Sequence, residues 1–205
     1  MTRLAMFPLG SVLFPHQLVP LHVFEPRYRE MTVRCLAGDR RFGVVLIERG
    51  HEVGGGDVRF TTGTVAHIVE AAELPDGRFL LEAVGRERLR VDRWLPDDPH
   101  PWADVTLLPD DDGAEPETKA QRDAVQERLR HLLALRAELG DPAPAATVEL
   151  DANPAMASWQ AAILSGLNPL DGLRVLEEDT VVARLSLLLT VLDDEVTLAR
   201  ARMGG

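Results

Sequence analysis

Four prolines between residues 8 and 26 constrain this chain more than any other feature. Residues 4–31 place Phe7-Pro8, Phe14-Pro15, Val19-Pro20 and Glu25-Pro26 among short apolar runs. Proline has a fixed φ and no backbone donor, so it belongs at strand ends, sheet edges and first helical turns. The stretch must therefore open with two short strands, Leu4–Phe7 and Leu18–Phe24. A helix over Arg27–Leu36 follows, opened by Pro26 and ended by Gly38-Asp39.

Strands dominate as far as residue 108. Arg41–Glu48 carries Phe42, Val44, Val45, Leu46 and Ile47, a nearly continuous apolar run expected when both faces are covered. Thr62–Leu74 reads as one long strand, and Asp76-Gly77 is a hairpin signal before Phe79-Leu80-Leu81. Val84-Gly85 suggests a kink or bulge. Arg86–Trp94 then alternates, with Arg88, Arg90 and Asp92 on a polar outer face and Leu89 and Val91 inside. Ala103–Leu108 closes the set. Six or more strands with hairpin turns and one helix point to a small closed or nearly closed barrel.

Residues 109–116, Pro-Asp-Asp-Asp-Gly-Ala-Glu-Pro, break the composition and read as an acidic linker. The predicted division is a β subdomain over 1–108, the linker, and a helical subdomain over 117–205. The first of its helices is Glu117–Leu139, with apolar residues at helical spacing. A second starts at Asn153-Pro154 and stops at Gly166. A short one covers Leu170–Glu177, and Asp179 caps the last, Thr180 to about Arg202. The fold class is α+β, with a helical bundle at the C-terminal end.

Formal net charge is −11, which argues against nucleic acid as the main partner. The first fifty residues run the other way, with seven arginines against four acids. Cys35 is the only cysteine, so there is no internal disulfide and no thiol zinc site. This fits a reducing cytosol, and the N-terminus shows no signal-peptide pattern. The most apolar C-terminal run, Leu185 to Leu192, is far too short to span a membrane.

No residue set spells out catalysis. The six histidines, His16, His22, His51, His67, His100 and His131, form no His-x-x-x-His pair, and no metal site is expected. Gly54-Gly55-Gly56 reads as a hairpin loop rather than a phosphate cradle. Asp110-Asp111-Asp112 lacks calcium-loop spacing and reads as solvated linker. No cofactor is implied.

Several segments together resemble the Lon-protease N-terminal domain, the module that engages substrate proteins ahead of the ATPase. They are the proline-rich opening, Gly63-Thr64-Val65-Ala66-His67-Ile68, Leu74-Pro75-Asp76-Gly77-Arg78 and Val84-Gly85-Arg86-Glu87-Arg88-Leu89-Arg90-Val91. Leu167-Asn168-Pro169-Leu170 and Leu176-Glu177-Glu178-Asp179 with Arg184-Leu185 resemble its helical part. Val23 to Met31 looks most like members that consist of this domain alone. The resemblance implies a PUA-like β-barrel followed by helices, and binding of unfolded or partly folded polypeptide beside a separate protease. It does not carry over unfolding or proteolysis. The sequence has no Gly-x-x-x-x-Gly-Lys-[Ser/Thr] loop, and its one lysine, Lys119, lies outside any matching motif for a Ser–Lys dyad.

Polypeptide binding needs exposed apolar surface. Phe24, Arg27, Tyr28 and Met31, at the helix entry, are the candidate contacts. The competing assignment has Phe24 and Met31 filling the end of the barrel and Arg27 paired with an acid. A rival function is an RNA-binding PUA-like module, which the basic first fifty residues would serve. A small-molecule site in the barrel mouth is a third possibility, with no residue signature.

Overall fold

The computed structural model describes residues 2–49, 58–110, 113 and 116–204. His51, the Gly54-Gly55-Gly56 loop, Asp111 and Asp112 lie outside the described residues. The chain packs as two compact units, Met1–Pro109 and Asp110–Gly205.

The first unit holds β1 (Thr2–Leu9), β2 (Leu18–Val23), α1 (Pro26–Ala37), β3 (Arg41–Arg49), β4 (Val58–Glu73), β5 (Phe79–Leu95) and β6 (Trp102–Leu108). The strands form one six-stranded sheet in the order β2-β5-β4-β3-β1-β6. β1 and β3 run parallel, from Met6 opposite Gly43 to Leu9 opposite Leu46, and the other pairings are antiparallel. β5 pairs with β2 through Phe79–Val84 and with β6 through Arg88–Leu95. The pairings from β5 through β4, β3, β1 and β6 therefore return to β5.

The prolines stand where a missing donor does least harm. Among the described residues β6 pairs with Thr2–Ala5 of β1, so Pro8 lies in the half of β1 whose one strand neighbour is β3. Pro20 lies on β2, which has β5 as its one strand neighbour among the described residues. Pro26 occupies the first turn of α1. Two motif glycines answer to close approaches. A Cβ on Gly63 would lie 2.1 Å from the Val44 carbonyl oxygen, and one on Gly85 would lie 2.1 Å from that of Phe14.

The sheet buries apolar side chains on two sides. Ala5, Phe7, Leu9, Val44 and Ile68 face one core, and α1 covers it with Tyr28, Met31 and Cys35. Leu4, Met6, Val45, Val65 and Leu89 face the other. The apolar run in β3 is thus divided between two interiors, as a strand covered on both faces requires.

The Val84-Gly85 signal is an irregularity inside one strand. Two steps of β4, from Thr64 to Ala66, oppose three steps of β5, from Arg88 to Gly85. The extra residue resets the side-chain alternation. Arg88, expected on the polar outer face, keeps regular register with Arg90 yet is buried, and it donates to the Pro109 carbonyl oxygen. Arg90 and Asp92 are exposed as expected.

The second unit contains α2 (Pro116–Glu138), α3 (Pro154–Ser165), α4 (Pro169–Glu177) and α5 (Val181–Met203). Val125, Leu129, Leu132 and Leu133 of α2, and Leu185, Leu188 and Leu192 of α5, are buried. Asn153 and Asn168 cap their helices through side-chain oxygens, and Gly166 ends α3 in the left-handed conformation. The last helix is capped by Thr180, whose hydroxyl accepts from the Ala183 amide, and not by Asp179. Asp110, expected as a solvated linker residue, instead accepts from the Trp159 indole and the Arg184 guanidinium.

Candidate functional site

The residues proposed from sequence do not share one surface. Tyr28 is 2% exposed and stacks on Phe7, with ring centroids 4.3 Å apart. Met31 is buried in the same core. The helical spacing of Tyr28, Met31, Thr32 and Cys35 points all four inward, so neither Tyr28 nor Met31 presents surface to a ligand. Arg27 pairs with Glu25 at 3.2 Å and lies 4.5 Å over the Tyr28 ring, so it clamps the helix entry. Phe24 alone is open to solvent, at 48%.

Phe24 adjoins a larger uncovered face. Leu18, Pro20 and His22 alternate outward along β2, while Val19, Leu21 and Val23 are more covered. The strand register extends this face over β5 and β4. Pro20 stands opposite Glu82, which stands opposite Glu70; His22 stands opposite Leu80, which stands opposite Ala72. Leu18 pairs with Val84 in the row on the other side of the acidic one. Between the Pro20 and His22 rows lies a groove of about 430 Å³. Leu18 and Leu80 are about half exposed, at 51% and 47%. The Phe24 ring extends the surface beyond His22, 6.0 Å away.

A second irregularity creates this arrangement. Ile68 pairs with Ala83 and Glu70 with Glu82, so Val69 is the extra residue on β4. Without it, Glu70 and Ala72 would follow Ile68 into the core. With it, both point outward. Sequence reasoning missed Pro20, His22, Glu70, Leu80 and Glu82. The alternation along β2 and its edge-marking proline were available signals; the opposition of Glu70 and Glu82 depends on a bulge that no local pattern announces.

The groove offers apolar contact and two carboxylates. Cys35 supplies no nucleophile here: burial first, then the charge of Asp39, push its thiol up to about 11. Among the described residues, no group of three His, Cys, Asp or Glu could hold a metal ion. No described helix is long and apolar enough to cross a membrane. The arginines of the first fifty residues are largely engaged. Arg3 pairs with Asp104, Arg34 with Glu30 and Arg41 with Asp39, while Arg40 donates to the Ile68 carbonyl.

Comparison with known proteins agrees with this architecture. A Lon N-terminal domain protein from Xanthomonas campestris is 30% identical, with a TM-score of 0.68 over 93% of this chain and 98% of that one. The N-terminal domain of a Mycobacterium avium complex Lon protease shares the fold, with a TM-score of 0.70 over 94% of this chain and 99% of that one, at 18% identity. A Lon protease of Cytophaga hutchinsonii is 28% identical over 193 residues, which are 91% of this chain and 23% of the relative. Lon protease 2 of Herpetosiphon aurantiacus is 28% identical over 95% of this chain and 24% of its own length. The chain thus spans about a quarter of these full-length relatives. Residues 3–194 match the family described as the ATP-dependent protease La (LON) substrate-binding domain. The chain, an α+β protein with a six-stranded sheet, belongs to that family.

Proposed function

We propose that this protein binds segments of other polypeptides and leaves the chemistry of unfolding and cleavage to a separate protease. The observation that carries this reading is the uncovered apolar groove on the outer face of β2, β5 and β4, in a family described as substrate-binding. Recognition of unfolded chain needs apolar area that is uncovered before the ligand arrives, and Leu18, Phe24 and Leu80 supply it. In this reading the closed circuit of strands is a PUA-like barrel, residues 109–116 join it to the helical part, and the protein works in the cytosol. A reducing compartment suits a chain whose one cysteine is a buried thiol. Nothing among the described residues favours RNA: Arg3, Arg34 and Arg41 of the basic N-terminal segment are paired with Asp104, Glu30 and Asp39.

Fluorescence anisotropy with a labelled unfolded polypeptide tests the proposal. Leu80→Asp should weaken binding about tenfold, since one well-buried leucine contact is worth roughly 1.5 kcal/mol. Val33→Asp, at an exposed apolar position on α1, should leave binding unchanged. Absence of any wild-type binding at high micromolar polypeptide would refute the reading, as would equal loss in both variants.

A further inference from the structure

The acidic row in the groove is unexplained by the fold. Glu70 and Glu82 stand directly opposite each other on neighbouring strands, both exposed. Among the described residues neither carboxylate has an ion-pair or hydrogen-bond partner. Like charges in that position destabilise a sheet. The Val69 bulge turns Glu70 toward Glu82 instead of away from it.

We infer that this pair selects a basic residue in the bound segment, so that the ligand is an extended polypeptide of the pattern apolar-x-(Arg or Lys)-x-apolar. The inference rests on the polypeptide-binding reading above. The acidic row, Pro20–Glu82–Glu70, lies between two rows with apolar members, Leu18–Val84 on one side and His22–Leu80–Ala72 on the other. Successive outward rows on a strand are about 6.7 Å apart, the same repeat as alternate side chains of an extended ligand. A segment lying along the strands therefore sets a cation over the two carboxylates when its flanking apolar side chains meet the flanking rows. One guanidinium or ammonium relieves the repulsion between Glu70 and Glu82 and gains two charged contacts beside apolar walls. Among the described residues β2 has no strand on its outer side, so the groove is open there. An internal stretch of a long chain can enter it sideways without being threaded by its end.

The test uses the whole protein and three labelled peptides of one apolar sequence, with arginine, its neutral isostere citrulline, or glutamate at the centre. Wild type should bind the arginine peptide about five- to tenfold more tightly than the citrulline peptide, and the glutamate peptide least. The gap should shrink as ionic strength rises. In the double variant Glu70→Gln/Glu82→Gln the three peptides should bind alike. That variant removes a repulsion and should melt no lower than wild type; a lower melting point would make the carboxylates structural and overturn the inference. Equal binding of all three peptides by wild type overturns charge selection and leaves polypeptide binding standing. Failure of every peptide to bind overturns both. Sedimentation that shows a dimer abolished by Leu80→Asp would make a second copy the occupant, and would also overturn it.

Discussion

Removing the Asp110 carboxylate should weaken the second unit by about 3 kcal/mol, through a charge left buried rather than through a lost contact area. Asp110 bonds two partners: the Trp159 indole nitrogen at 2.7 Å and the Arg184 guanidinium at 3.2 Å. Arg184 is 0% exposed, donates to the Ser158 hydroxyl at 2.7 Å, and lies 3.7 Å over the Trp159 ring. An indole hydrogen bond contributes about 1 kcal/mol, and a bond between charged groups about 1.5–3 kcal/mol. The Asp110 side chain is 37% exposed, so water can partly replace it, and the lower half of that range applies. Asp110→Ala takes a carboxylate from the buried cation, which keeps its bonds to the Ser158 hydroxyl and the Glu178 carbonyl oxygen. Arg184→Met removes the cation, and its partner carboxylate can turn to solvent. The double variant should therefore be less destabilised than the sum of the singles, by roughly 1–2 kcal/mol. Urea unfolding followed by far-ultraviolet circular dichroism, which reads the helices directly, measures each corner of this cycle. Strictly additive singles, or an Asp110→Ala variant within about 0.5 kcal/mol of wild type, would refute the reasoning.

Gly63→Ala should destabilise the sheet by about 3 kcal/mol or more, because the new methyl would meet the backbone oxygen of Val44 at 2.1 Å. Gly38→Ala, where the nearest atom is 3.5 Å away, should change the denaturation midpoint little. Stability should also fall as pH drops below about 6.5. His100 is fully buried, and burial holds its imidazole below the usual histidine range. The folded state therefore binds fewer protons than the unfolded one. Its stability is unaffected above the unfolded value and declines below it, by up to about 1.4 kcal/mol per pH unit. His100→Gln should flatten that slope between pH about 6.5 and 5, above the range in which Asp39, Asp76, Asp104 and Asp141 titrate. An unchanged slope in denaturation midpoints would contradict the assignment.

Local chemistry accounts for what could be read from the chain in advance. Pro20 and Pro26 announce an edge strand and a helix start because a missing donor leaves few places to stand. Asp76-Gly77 is legible for a similar reason: the turn puts Gly77 at φ 76°, where a side chain is disfavoured. What escaped depends on register. A single extra residue in β4 turns Glu70 from the core to the solvent side, and Arg88 is buried where its strand passes the chain at Pro109, although it alternates in phase with exposed Arg90. Neither feature shows in the composition of the strand. Tyr28 and Met31 have the side chains of a binding surface, but also those of a core, and only the direction in which α1 turns its face decides between them. Phe24 was found because it stands at the helix entry, beside Pro26; the rest of the groove is assembled from three strands far apart in the chain.

One strand carries the mechanical consequence of this topology. Leu80 and Glu82, which line the groove, sit on the same uninterrupted backbone that β6 grips through Arg88–Leu95, while β4 lies alongside both halves. Tension applied through anything lodged against β5 would load two ladders in shear and could not unzip a lone ribbon bond by bond. The fold thus places an accessible greasy surface on a beam anchored by three neighbouring strands.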